Sequence, residues 1–137
     1  MNLESLIREA ANTPPIDVEA YYSKAYAEYQ ANLTHEAAET FSVLCARKPL
    51  ESRFWVGLGA SLQACTQYEK ALYAWAMAAI LDPENPFPHF HAAECCDSLN
   101  QSTDALKALA EAKKRVKDPS HRLYKPIRLL EETWRNR

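Results

Sequence analysis

The sequence predicts an all-α protein. Only two of its 137 residues are glycine, and both, Gly57 and Gly59, lie inside one apolar stretch. So few turn-forming residues would not supply the many short turns of a β protein, whereas the abundant Ala, Leu, Glu and Lys are good helix formers. Hydrophobic residues make up 47% of the chain, enough for the core of one domain.

A pattern of aromatic, small and proline residues recurs every 34 residues. Its clearest copy runs through Trp55, Gly59, Ala71, Trp75 and Pro83. The copy before it has Tyr21, Ala25, Ala37, Phe41 and Pro49, and the copy after it has His89, Ala93, Ala105, Leu109 and, two places late, Pro119. Such a period indicates pairs of antiparallel helices, in which the small residues allow close approach and the prolines end the second helix.

This pattern resembles the tetratricopeptide repeat. The resemblance implies three tandem repeats that form a short right-handed helical solenoid. We expect a single domain over residues 1–137, with an N-terminal helix and linker at 1–15, repeats at 18–51, 52–85 and 86–119, and a capping helix at 120–137. The predicted helices are 2–11, 17–31, 34–47, 51–64, 67–81, 87–99, 102–116 and 120–136.

Both ends of the chain have amphipathic patterns. The prolines after Thr13 end the first helix. The apolar side of this helix holds Leu3, Leu6, Ile7 and Ala10. This helix needs a surface to lie against. In the last helix, the apolar stripe holds Leu123, Ile127, Leu130 and Trp134. Such a stripe is expected of a helix that caps the last repeat.

Charge and hydropathy narrow the classes of partner. The chain has 16 basic and 18 acidic residues, a net charge of −2, so we expect no nucleic-acid partner. No apolar run is long enough to cross a membrane and no signal-like segment begins the chain, so we expect neither a membrane partner nor secretion. The charge is unevenly divided, with 6 basic and 13 acidic residues in 1–101 (−7) and 10 basic and 5 acidic in 102–137 (+5).

Catalytic and metal-binding patterns are absent from the sequence. His89 and His91 diverge around a helix and cannot share a metal. The cysteines form no Cys-x-x-Cys pair, and we interpret them as reduced, buried, cytoplasmic thiols: Cys45, Cys65, Cys95 and Cys96. Because adjacent residues of a helix point in different directions, we expect Cys96 in the core and Cys95 half-buried. We therefore predict neither an enzyme nor a cofactor.

The first helix of each stacked pair should line a concave groove. On the first of them Tyr22, Tyr26 and Tyr29 are spaced to share one face, while Tyr21 and Ala25 serve the core. The other side chains predicted to face the groove are Glu19, Gln30, Arg53, Val56, Ala60, Gln63, Ala64, Phe87, Phe90, Glu94, Asp97 and Ser98. The three tyrosines favour binding of an apolar segment.

Three segments, 22–30, 52–60 and 90–95, resemble the class II chaperones of type III secretion. The resemblance implies a cytoplasmic bacterial chaperone that binds an extended N-terminal segment of hydrophobic, membrane-inserting translocator proteins and keeps them soluble, unassociated and ready for export. It also implies a possible homodimer. The implied client-binding residues are Tyr22, Tyr26, Tyr29, Arg53, Val56, Ala60, Gln63, Phe90 and Glu94.

The sequence also bears on two other functions of helical-repeat proteins. A co-chaperone that grips a C-terminal carboxylate would need hydrogen-bond donors, Lys and Asn, at the positions held by Tyr22 and Tyr26. A generic tetratricopeptide scaffold or adaptor for protein complex assembly stays open, because any such solenoid can bind a folded protein by its outer surfaces.

Overall fold

A computed structural model describes residues 2–12 and 14–137 of the chain. Over these residues the secondary structure is helical, with no strand, which confirms the predicted fold class. The helices are α1 (Leu3–Ala11), α2 (Val18–Gln30), α3 (Thr34–Arg47), α4 (Ser52–Ala64), α5 (Tyr68–Leu81), α6 (Pro86–Ser98), α7 (Ser102–Arg115) and α8 (Tyr124–Arg135).

Capping residues set where several helices begin. The Asp17 carboxylate accepts the backbone N–H of Ala20 at 3.1 Å, so α2 begins directly after it. The Asn85 side chain accepts the N–H of Phe87 at 3.0 Å, and Pro86 occupies the first helical position, where its missing N–H costs nothing. For this reason α6 begins one residue before the predicted 87.

The last helix begins four residues later than predicted. The Asp118 carboxylate accepts both the backbone N–H and the hydroxyl of Ser120 at 2.9 Å, and Nδ1 of His121 accepts the N–H of Leu123 at 3.0 Å. These local bonds favour a turn over 118–123 in place of the first helical turn. The predicted capping role is confirmed, since the four stripe residues pack against α6 and α7: Leu123, Ile127, Leu130 and Trp134.

The six central helices form the pairs α2/α3, α4/α5 and α6/α7, and each pair packs on the next. Helix α2 also packs directly on α4, whereas α3 has no comparable contact with α5. The first helices of the pairs therefore line the inner face. The terminal helices lie at the two ends of this row, α1 against α3 and α8 against α7. The side chains of Leu6, Ile7 and Ala10, and the whole of Thr13, lie outside what the structure describes, and with them the predicted packing of α1 and its predicted stop.

The turns within the pairs repeat one backbone conformation. Asn32, Thr66 and Asn100 have φ values of 65°, 61° and 59°, in the left-handed region, and are spaced by the 34-residue period. Asparagine tolerates this region well, but a β-branched residue does not. The turn of the second repeat is therefore strained where the other two are not.

We expect Thr66→Asn to stabilise the protein, because it places in the second turn the residue that the other two turns carry. Relief of the strain at one left-handed residue should raise the free energy of unfolding by about 1 kcal/mol. Urea denaturation followed by circular dichroism measures the change. Thr103→Asn, at an exposed helical position, is the control. A Thr66→Asn variant no more stable than the wild type would contradict this account of the turn.

The two glycines make room for buried aromatic rings. A Cβ atom added at Gly57 would lie 2.2 Å from the ring of Phe41, and one at Gly59 would lie 2.8 Å from the indole of Trp75. Both rings are almost fully buried. The space at Gly59 is thus filled by Trp75, which packs beside the buried Ala71.

The prediction for Cys95 was wrong. Cys95 is fully buried against Ala71 and Trp75 of α5, and Cys96 is also buried. Because α6 lies between α5 and α7, two adjacent residues can each face a neighbouring helix. Burial raises the pKa of the Cys95 thiol to about 12, and it also raises the pKa values of Cys45 and Cys96.

All four cysteines are free thiols, and Cys65 is partly exposed, so the prediction that all four are buried was wrong for Cys65, which directly follows the last residue of α4. Because the thiolate is the reactive form, the buried thiols with raised pKa values should react slowly. We expect iodoacetamide to modify Cys65 first in native buffer, and Cys45, Cys95 and Cys96 only after unfolding. Peptide mapping by mass spectrometry at several times measures this order. Modification of Cys95 as fast as Cys65 would contradict the burial described above.

Candidate functional site

Three tyrosines form a stripe along the inner face of α2. Tyr26 is 50% exposed and Tyr29 is 38% exposed. The ring centroids of Tyr22 and Tyr26 lie 6.2 Å apart. The predicted stripe therefore presents aromatic surface to solvent.

Tyr22 joins this stripe to the core. Its ring centroid lies 5.5 Å from that of Phe54 and 6.1 Å from that of Phe41, both buried. The guanidinium carbon of Arg53 lies 4.8 Å from the centre of the same ring, in a cation–π arrangement. Tyr22 is consequently held in place before any ligand arrives.

Arg53 connects the first two repeats. Its guanidinium donates hydrogen bonds to Glu19 of α2 and, at 3.2 Å, to Glu51. It also lies over the ring of Phe54, at 4.7 Å. The hydrogen bond from Arg53 lowers the pKa of Glu19, and the same bond raises the pKa of Arg53. This network fixes the Arg53 side chain above the Tyr22 ring.

The ion pair predicts how Glu19 responds to pH. Because its pKa is lowered in the folded state, the stabilisation from the pair is present above the ordinary carboxyl range and is lost as pH falls through the lowered pKa. We expect Arg53→Met to return the Glu19 pKa to its ordinary range. Carboxyl-carbon NMR titration measures both values. An unchanged Glu19 titration in the variant would contradict the pairing.

The middle of the groove is apolar. Val56 and Ala60, on the inner face of α4, are partly buried and pack against the cluster of Ala71, Trp75 and Cys95. Neither side chain offers a hydrogen bond. Val56 and Ala60 thus form an apolar floor between the first and third repeats, made of one medium-sized and one small side chain.

A chain of polar contacts crosses the groove beyond this floor. The indole N–H of Trp75 donates to the Gln63 side-chain oxygen at 3.0 Å, and the Gln63 amide donates to Oε1 of Glu94 at 3.2 Å. Nδ1 of His91 lies 2.6 Å from the same oxygen, and the His91 ring stacks on Trp75 with centroids 4.8 Å apart. Gln63 and Glu94 are thereby fixed in orientation.

Trp75 and His91 are site residues that the sequence did not indicate. Trp75 belongs to the packing pattern of the repeat, and nothing in that pattern reveals that its N–H reaches the groove. His91 follows a predicted groove residue directly, and only the fold brings its ring onto Trp75. The sequence does place a groove glutamine, Gln63, 12 residues before Trp75. This spacing is the signal from which their contact could have been predicted.

Phe90 differs from the other predicted groove residues. It is only 7% exposed and packs with Leu109, Leu123 and Ile127, because α8 covers this side of α6. Two further positions of α6 also have partners from the C-terminal segment. Arg122 lies over the ring of Phe87 at 5.0 Å, and Arg137 forms an ion pair with Asp97.

The inner face therefore changes character along the row of repeats. Its α2 end is aromatic, its middle is apolar, and its α6 end carries the Glu94 carboxylate with Gln63 beside it. Such a surface suits an extended segment that offers apolar side chains to the first repeat and hydrogen-bond donors to the third.

Among the described residues, no helix has the length and apolar character needed to cross a membrane.

No family model matches the chain. It is 36% identical over 101 residues to low calcium response locus protein H of Yersinia pestis, covering 74% of this chain and 60% of that protein. The chain thus spans about 60% of the length of the curated relatives that it matches.

Solved structures of similar proteins cover more of the chain. The Yersinia enterocolitica type III secretion chaperone SycD, in complex with a peptide of the translocator YopD, has a TM-score of 0.82 and 30% identity, covering 86% of this chain and 92% of that one. PcrH of Pseudomonas aeruginosa, in complex with the chaperone-binding region of PopD, has a TM-score of 0.81 and 29% identity, covering 86% and 90%. This chain belongs to the class II chaperones of type III secretion, the family of SycD and PcrH.

Proposed function

We propose that the protein is a cytoplasmic chaperone of bacterial type III secretion that binds an extended N-terminal segment of translocator proteins in its concave groove. The exposed aromatic stripe of α2 is the observation that carries this proposal. Exposed aromatic side chains on a rigid helix are typical of binding surfaces. SycD and PcrH, which share the fold, were crystallised with segments of the translocators YopD and PopD.

Each part of the groove has a role in this proposal. Tyr26 and Tyr29 contact the apolar side chains of the segment, beside Tyr22 and next to the floor formed by Val56 and Ala60. Arg53 holds the Tyr22 ring, and Phe90 supports the third repeat from beneath. Glu94 and Gln63 accept hydrogen bonds from the segment, as side chains already held by His91 and Trp75.

Pre-organisation makes this binding efficient. The Tyr22 ring and the Glu94 carboxylate are held by neighbours in the absence of a client, so binding orders few further side chains. A groove that engages one apolar segment keeps the translocator from associating with other copies. The binding needs neither a nucleotide nor a catalytic group.

Co-purification from the source bacterium, followed by mass spectrometry, identifies the client. Hydrogen exchange of the full chain, with and without a synthetic segment from the N-terminal region of that client, then locates the contact. We expect the segment to protect the amides of α2 and α4. Protection confined to α3, α5 and α7 would contradict the proposal and favour the scaffold or adaptor function.

A further inference from the structure

The hydrogen bonds that hold Glu94 have a fixed direction. Because an indole N–H can only donate, Gln63 must turn its side-chain oxygen toward Trp75 and its amide N–H toward Glu94. Oε1 of Glu94 accepts this N–H at 3.2 Å and also lies 2.6 Å from Nδ1 of His91. Rotation of the carboxylate would break both contacts, so its two oxygens are not equivalent.

The other oxygen of this carboxylate has no protein partner. Over the part of the chain that the structure describes, Oε1 takes both hydrogen bonds and Oε2 takes none. The Glu94 side chain is 38% exposed, so a bound segment can reach it. A carboxylate oxygen only accepts hydrogen bonds, and a group that binds Oε2 must therefore be a donor.

The negative charge of Glu94 is also uncompensated. On the same inner face, Glu19 pairs with Arg53 and Asp97 pairs with Arg137. Among the described residues, no lysine or arginine pairs with Glu94, whose neighbour is a histidine that can donate its N–H while neutral. The third repeat thus offers the groove a fixed carboxylate that lacks a cation.

We propose that Glu94 binds a lysine or arginine side chain of the client segment. This inference rests on the proposed binding of a translocator segment in the groove, and it adds a chemical requirement to that segment. The cation donates to Oε2 and compensates the charge in one contact. If an apolar side chain covered Oε2 instead, this oxygen would lose water without gaining a donor, which weakens binding.

The repeat also sets how far this cation lies from the apolar part of the segment. Tyr26, Ala60 and Glu94 occupy one position of the three successive repeats, since each follows the one before by 34 residues. Packed helices lie about 8–10 Å apart, so two steps from α2 to α6 span about 16–20 Å. An extended chain rises about 3.3 Å per residue. We therefore expect the basic residue about five or six residues from the apolar residue that contacts Tyr26.

A double-mutant cycle tests the contact. Calorimetric titration measures binding of the full chain to a synthetic segment from the N-terminal region of the co-purified translocator. We expect Glu94→Gln to weaken binding about fivefold, as expected of a partly exposed ion pair. Replacing the basic residue of the segment by glutamine should weaken binding as much, and the two changes together should cost little more than either one. Glutamine at 94 keeps the acceptor that Gln63 and His91 need.

The control variant is Glu39→Gln, which removes the same charge from an exposed position of α3. We expect it to bind the segment as the wild type does. Salt provides a second measurement, because it screens the attraction of opposite charges. The affinity of the wild type should fall more steeply with ionic strength than the affinity of Glu94→Gln. Circular dichroism establishes that both variants remain helical.

A Glu94→Gln variant that binds like the wild type would overturn the inference. A bound segment without lysine or arginine would do the same, as would losses that simply add in the double change. These three results leave the proposed function intact as long as binding depends on Tyr26 and Tyr29. The proposed function itself fails if the segment does not bind at all, and the inference then fails with it.

Discussion

Tyr26→Ala combined with Tyr29→Ala should weaken binding of the client segment at least about tenfold. Each aromatic anchor at an interface contributes about 2 kcal/mol, and a loss of 1.4 kcal/mol is already tenfold. Neither side chain belongs to the buried core, so their loss should leave the helical circular dichroism signal and the melting temperature nearly unchanged. Calorimetric titration with the segment measures the affinity.

Tyr73→Ala is the matched control for this pair, because Tyr73 is as exposed as Tyr26 but lies on the outer face. We expect it to bind the segment as the wild type does. Tyr22→Ala is less informative, since its ring packs on Phe41 and Phe54 and its loss would also lower stability. Unchanged affinity in a folded Tyr26 and Tyr29 double variant would exclude the stripe as the binding surface.

Gly57→Val should cause the largest loss of stability. A Cβ atom at this position would meet the Phe41 ring at 2.2 Å, and that ring is buried and cannot move aside. Overpacking of this kind costs about 1–3 kcal/mol and should lower the melting temperature by several degrees. Differential scanning calorimetry measures the change.

Ala27→Val provides the control for Gly57→Val, because it adds a β-branched residue to an exposed position of a helix. A Gly57→Val variant that melts at the wild-type temperature would show that α3 and α4 do not approach as closely as described. Ala71→Leu enlarges a buried residue beside Trp75 and should likewise lower the melting temperature. It tests the packing of α5 against α4.

The helix pairs could be predicted because each one is encoded locally. The 34-residue period places small residues opposite aromatic ones, and proline or a polar turn follows each helix, so the pattern determines both the helices and their pairing. The spacing of the three tyrosines also predicts a shared face from helix geometry alone. These features depend on residues within one repeat.

Features that depend on two elements far apart in sequence were not predicted. Cys95 is buried because α6 has a neighbour on each side, which its own helix pattern does not reveal. Phe90 is covered by α8, whose start is shifted by side-chain bonds in the preceding turn. The contact of Gln63 with Trp75 and Glu94 joins three helices and follows only from the fold.

Two of the contacts that prepare the groove cross a boundary between repeats. Arg53 of the second repeat holds Glu19 of the first, and Gln63 of the second holds Glu94 of the third. A single helix pair thus contains only half of each of these two contacts. During synthesis the pairs can form one after another from local contacts, which fold quickly. The polar end of the groove, where Gln63 meets Glu94, is then complete only when the third repeat has docked.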